Sequence, residues 1–98
     1  MDVVELTQKL IRCPSITPKD AGCLDLIQTY LETFGFICHR LPFGGGDPKA
    51  TDNLYARWGT QGKNFCFAGH TDVVPPGDLS HWSVDPFAGV IRNDCVYG

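Results

Sequence analysis

Residues 67–78, FAGHTDVVPPGD, carry the chain from its most apolar run into a turn-rich loop. The apolar run from Phe65 to Ala68 predicts a strand that is covered on both faces. The prolines and the glycine that follow it predict a loop. His70 and Asp72 stand at the change, and α/β sheets place their binding sites at the carboxyl ends of strands. This stretch therefore guides both the fold prediction and the search for a site.

Two helices are predicted ahead of this strand. The spacing of apolar residues over 2–12 favours a first helix, which Pro14 ends. A second helix is predicted to begin with Thr17 as its N-cap and Pro18 in its first turn. Gly35 is predicted to end that helix as a C-terminal glycine cap.

Further short strands follow the helices. Four β-prone stretches, bounded by turn residues, are predicted as strands: 36–41, 53–59, 88–92 and 95–98. The last two form a predicted hairpin that turns at Asn93 and Asp94, because both residue types tolerate positive φ. Residues 42–52 are rich in glycine and proline and predict a loop. The whole pattern predicts an α/β fold in which two N-terminal helices pack on a mixed β-sheet.

Composition excludes several classes of protein. The chain has 98 residues, which suits one domain, and a net charge of -3. Its eight Lys and Arg residues are scattered, so no basic face for nucleic acid or anionic lipid is predicted. No stretch resembles a signal peptide or a membrane span. A cytoplasmic protein that binds neither nucleic acid nor membrane is expected.

The cysteines do not indicate a disulfide framework. There are five, an odd number, and no two of them form a C-x-x-C pair. This argues against a disulfide scaffold or a zinc knuckle and favours reduced cysteines that act as small apolar side chains. A redox or metal module built from these cysteines stays as a minor alternative.

The pair His70 and Asp72 has two possible uses. In extended backbone, residues i and i+2 point to the same side, so imidazole and carboxylate would meet. Asp72 would then fix the tautomer of His70 and leave its other nitrogen for a metal ion. The alternative is a catalytic base and its orienting acid, but the sequence has no nucleophile motif. By itself the spacing is also compatible with a histidine that is merely satisfied by a local carboxylate.

The longer pattern is more specific. GHTDVVPPGD (69–78), followed by HWSVDPF (81–87) and CVYG (95–98), resembles the metal-binding segment of the zinc-dependent aminoacylase and desuccinylase family of amidohydrolases. The stretches VELTQKLIRCPSITPKDAGC (4–23) and NLYARWG (53–59) resemble the same family. The resemblance therefore covers nearly the whole chain.

The resemblance implies a function and roles for single residues. It implies hydrolysis of the amide bond of a small N-acyl amino acid by two zinc ions, with cobalt as a possible substitute. His70 matches the first zinc ligand, and Asp72 matches the catalytic aspartate that orients this ligand and tunes the metal. Trp82, Asp85 and Phe87 match a loop that is expected to be structural.

The resemblance also implies that the chain is incomplete. Residues 1–98 would be the N-terminal part of the catalytic domain, without the remaining metal ligands and without the dimerisation domain. The full-length enzyme would be a homodimer, and the 98-residue piece is expected to be inactive. His39, His81, Asp78 and Asp85 are the residues that could otherwise complete a metal site, although His39 and His81 are expected at the surface.

Two alternatives remain open at this point. The chain could belong to another aminoacylase or peptidase of the same family, because residues that select the acyl group are expected outside these 98 positions. It could instead be a non-catalytic α/β piece that binds no metal.

Overall fold

The computed structural model describes residues 1–45 and 50–98. Two helices are followed by four short strands, with one 3₁₀ turn at Leu79–His81 between the second and third strands. The elements are α1 (Val3–Ile11), α2 (Cys23–Glu32), β1 (Ile37–Arg40), β2 (Leu54–Arg57), β3 (Val90–Arg92) and β4 (Cys95–Tyr97). The predicted loop at 42–52 lies partly outside the described residues.

Helix α1 forms as predicted. Asp2 caps its N-terminus, since its side-chain oxygen accepts a hydrogen bond of 2.8 Å from the backbone N–H of Glu5. Glu5 also pairs with Lys9 one turn later at 2.9 Å. The helix ends at Ile11, shortly before Pro14, which is the predicted stop.

Helix α2 begins later than predicted. Thr17 and Pro18 do not start it; the helix begins at Cys23, after Ala21 and Gly22 have taken positive φ of 53° and 90°. Two successive left-handed residues cannot belong to an α-helix, so the helix starts after them. Its first turn is capped by the carboxylate of Asp20, which accepts hydrogen bonds from the backbone N–H groups of Leu24 and Gly22. The predicted end is confirmed, because Gly35 has a φ of 84° just beyond the helix.

Helix α2 packs on the hairpin formed by β1 and β2. These strands are antiparallel, with Ile37 opposite Arg57 and Arg40 opposite Leu54. Arg40 joins the two layers: its guanidinium donates to Asp25 on α2 and to Asp52 just before β2, the latter at 2.6 Å. Asp25 and then Asp52 raise the pKa of Arg40 above its ordinary value, since both stabilise the charged form.

A second hairpin, β3–β4, packs against α1. Asn93 and Asp94 form its turn with φ of 52° and 60°, as predicted. Gln8 donates from its side chain to the carbonyl of Gly89 at 2.7 Å, and Arg12 donates to the carbonyl of Ala88 at 3.0 Å. A Cβ at position 89 would lie 3.0 Å from the carbonyl oxygen of Gln8, so a glycine allows this close approach.

The predicted mixed sheet is not formed. The described residues contain two separate antiparallel hairpins. The α/β character is therefore confirmed, but the prediction of one mixed sheet is wrong. The strand predicted from the apolar run Phe65 to Ala68 is wrong as well, because no backbone hydrogen bond joins that run to another described residue. Phe65 and Phe67 are 83% and 92% exposed rather than covered. A covered strand needs a neighbour on each side, and these residues have none in the described part of the chain.

The buried centre is small. It lies where the segment between the helices meets the start of α2 and includes Ser15, Cys23 and Leu24, which are 3%, 1% and 8% exposed. Burial, followed by the nearby thiol of Cys23, raises the pKa of Cys13 at the edge of this centre. Neither helix of the described ranges reaches the length and hydrophobicity that a bilayer crossing requires.

Replacement of Arg40 by Met should lower the free energy of unfolding by about 1 kcal/mol, because Arg40 makes charge-assisted hydrogen bonds that hold α2 to the β1–β2 hairpin. Urea unfolding followed by circular dichroism measures the change. The matched control is Lys9→Met, whose exposed pair with Glu5 on a single helix should change stability by less than about 0.5 kcal/mol. Equal losses in the two variants would show that Arg40 does not link the layers.

Candidate metal-binding site

His70 and Asp72 are in direct contact. Nδ1 of His70 lies 3.0 Å from Oδ1 of Asp72 and 2.9 Å from the backbone carbonyl oxygen of the same residue. The side chains are 82% and 49% exposed, so the pair lies at the surface and outside the buried centre. The structure therefore brings together the two residues that the sequence singled out, on one side of the chain.

This contact selects one tautomer of the imidazole. Both partners of Nδ1 are oxygen acceptors, so Nδ1 carries the proton and donates it to Asp72. Nε2 of a neutral His70 then has a free lone pair that is directed to solvent. An imidazole nitrogen held in this way by a carboxylate on the opposite nitrogen is the usual arrangement of a metal-binding histidine.

The backbone around Asp72 is fixed from the segment between the helices. Val73 donates from its N–H to the carbonyl of Ser15 at 2.9 Å, and Thr17 donates to the carbonyl of Val73 at 3.0 Å. These bonds form an isolated parallel bridge between Ile16 and Val73. The hydroxyl of Ser15 also donates to the carbonyl of Thr71 at 2.8 Å.

Sequence reasoning missed Ser15. Its partner Thr71 is 56 residues away, and nothing near Ser15 in the sequence marks it as other than a loop serine after a proline. The nearest signal is Thr17, the predicted helix cap. Its backbone N–H binds the carbonyl of Val73, next to the site, and α2 begins only at Cys23.

The loop that follows the pair is held by its own side chains. Trp82 donates from Nε1 to the carbonyl of Pro76 at 2.9 Å. The carboxylate of Asp78 accepts hydrogen bonds from the hydroxyl and the N–H of Ser80. These bonds lower the pKa of Asp78, and the hydroxyl has the larger effect.

Further along the same loop, the carboxylate of Asp85 accepts a hydrogen bond of 2.8 Å from the N–H of Phe87. These contacts agree with the structural role expected for Trp82, Asp85 and Phe87, and the loop lines an open groove of about 540 Å³.

The other candidate ligands are not gathered around His70. His39 is exposed and stacks on Tyr55, with ring centroids 6.4 Å apart. His81 is 83% exposed, and its Nε2 lies 3.9 Å from Asp78. Over residues 1–45 and 50–98, no three side chains of the metal-binding types come together. The pair thus fits one ligand and its orienting carboxylate, while a protein zinc site usually has three or four ligands.

Comparison with known proteins supports the family resemblance. No family model matches the chain. Curated relatives do match it over nearly its full length, and they are desuccinylases. A protein of Rhodospirillum centenum is 59% identical over 97 residues, which is 99% of this chain and 25% of that protein. A protein of Caulobacter vibrioides is 52% identical over 98 residues, 100% of this chain and 24% of its own length.

The resemblance to desuccinylases predicted from the sequence is therefore confirmed. Both relatives have the name succinyl-diaminopimelate desuccinylase, as does a relative from Bradyrhizobium that is 50% identical over 97 residues. The chain spans about a quarter of the length of these relatives.

We expect the 98-residue chain to bind zinc with a dissociation constant well above about 1 µM, because one histidine and one carboxylate supply only part of a zinc site. Isothermal titration with a zinc salt measures the affinity. His70→Ala should abolish the weak binding, and His81→Ala should leave it unchanged. A stoichiometric site with submicromolar affinity would contradict the prediction.

Proposed function

We propose that this chain is part of a metal-dependent amidohydrolase that cleaves N-succinyl-L,L-diaminopimelate into succinate and L,L-diaminopimelate. The observation that carries the proposal is the 59% identity with a succinyl-diaminopimelate desuccinylase over 97 residues. The exposed His70 with its partnered Nδ1 supplies one imidazole ligand of the kind that a metal-dependent hydrolase uses. The products are succinate and L,L-diaminopimelate, and the second of these leads toward lysine and cell-wall precursors.

Within this proposal His70 is one metal ligand and Asp72 is the catalytic aspartate that orients it. When bound, two zinc ions, or cobalt in their place, would polarise the amide carbonyl and lower the pKa of a water molecule. The chain's own contribution is to hold the proton of His70 on Nδ1 and to direct Nε2 outward. Hydrolysis breaks the amide C–N bond, adds the water oxygen to the succinyl carbonyl carbon and leaves a free amine.

The organisation of the complete enzyme is part of the proposal. Residues 1–98 would be the N-terminal part of its catalytic domain. The remaining ligands, the general base and a dimerisation domain would lie in the three quarters of the relatives' length that this chain does not span. The enzyme would be a homodimer that acts on a small N-acyl amino acid in the cytoplasm.

A non-catalytic role is the second candidate for the chain by itself. It is favoured by one observation: the described residues bring together only one histidine and one carboxylate at the site. The names of the relatives favour a desuccinylase over an aminoacylase or a peptidase with another substrate.

A chimera tests the proposal. The segment of the Rhodospirillum centenum relative that matches residues 1–98 is replaced by this chain, and hydrolysis of N-succinyl-L,L-diaminopimelate is measured with the metal-loaded protein. We expect the chimera to be active. In it, His70→Ala should lower kcat/KM by at least about 100-fold, and Asp72→Ala by about 10- to 100-fold, because the first removes a ligand and the second removes the group that orients it.

His81→Ala is the matched control, since His81 is an equally exposed histidine of the adjacent loop. Circular dichroism and metal analysis establish that each variant is folded and loaded. A folded, loaded chimera without activity would refute the proposed function. Equal activity of the His70 and His81 variants would refute the role of His70.

A further inference from the structure

We propose that Ser15 is a positioning residue, which holds Asp72 against the imidazole of His70 by fixing the peptide groups on either side of that aspartate. This inference rests on the proposed function for its importance to catalysis. The contacts themselves do not depend on that function.

The two peptide groups that flank Asp72 are both hydrogen-bonded to Ser15. On one side, the carbonyl of Thr71 accepts a hydrogen bond of 2.8 Å from the Ser15 hydroxyl. On the other, the N–H of Val73 donates to the Ser15 carbonyl at 2.9 Å. One residue therefore restrains the backbone both before and after Asp72, and this determines where the carboxylate points.

Ser15 can restrain the backbone around Asp72 because Ser15 is itself buried. It is 3% exposed, in contrast to the His70 and Asp72 side chains, which are 82% and 49% exposed. Within the described ranges, residues 70–73 form hydrogen bonds only with Ser15, with Thr17 and among themselves. An exposed pair in a loop without regular structure would otherwise sample many geometries.

The hydroxyl has a specific part in this arrangement. Without it, the carbonyl of Thr71 would lose its partner, while the backbone bonds of Val73 would remain. The dihedral angles of Asp72 would then be restrained on one side only. The hydrogen bond from Nδ1 of His70 would weaken, and the imidazole would place its proton on Nε2 more often, where it blocks metal binding.

The test measures the tautomer of His70 in the 98-residue chain. Long-range ¹H–¹⁵N NMR spectra are recorded at a single pH above the ordinary histidine pKa of about 6.5, where the neutral ring shows which nitrogen carries the proton. In the unmodified chain we expect the Nδ1–H form to predominate. Ser15→Ala should lower the ratio of Nδ1–H to Nε2–H by about 2- to 10-fold, the range expected for loss of one ordinary hydrogen bond.

Three variants separate positioning from packing. Ser15→Thr retains the hydroxyl and should keep the ratio of the unmodified chain. Ser15→Cys retains the volume but donates weakly, so it should give an intermediate ratio; if the alanine variant does not fold, the threonine and cysteine variants carry the comparison. Thr7→Ala is the matched control, because it removes a hydroxyl that donates at 2.7 Å to the carbonyl of Val3 on exposed α1.

An unchanged tautomer ratio in folded Ser15→Ala, or in Ser15→Cys where alanine does not fold, would overturn the proposal. So would a change of the same size in Thr7→Ala. This readout needs neither metal nor substrate, so an inactive chimera would refute the desuccinylase function and leave the role of Ser15 to be decided by NMR alone.

Discussion

The bridge between the segment at 15–17 and Val73 is the constraint on which the arrangement depends. It joins residues that are close to α1 and α2 to the loop that carries His70 and Asp72. Thr17 gives its backbone N–H to Val73 within this bridge, and α2 starts only at Cys23, after the left-handed residues Ala21 and Gly22. The position of the candidate site relative to Ser15 therefore follows from this bridge.

Features that depend on neighbouring residues could be predicted from the sequence. The extent of α1 follows from the spacing of its apolar residues, and the turn at Asn93 and Asp94 follows from the tolerance of these residue types for positive φ. The contact between His70 and Asp72 spans two positions, so its geometry was also predictable. Their roles in catalysis stay predictions, which depend on the resemblance to desuccinylases.

Features that depend on distant residues could not be predicted. The hydrogen bond from Ser15 to Thr71 crosses 56 positions, and no local pattern indicates it. The apolar run around Phe65 and Phe67 predicted a covered strand, but hydrophobicity reports a tendency to be buried and does not supply the neighbours that bury it. The predicted start of α2 was also wrong, because Ala21 and Gly22 take positive φ and the helix begins only at Cys23.

The contact of α1 with the β3–β4 hairpin has a consequence for synthesis on the ribosome. Gln8 donates to a carbonyl that follows it by 81 positions. At about 5–20 residues per second, the ribosome needs about 4–16 s to add those positions. During that interval the side chains of Gln8 and Arg12 lack these two carbonyl partners, and α1 acquires its native neighbour only once the hairpin has left the exit tunnel.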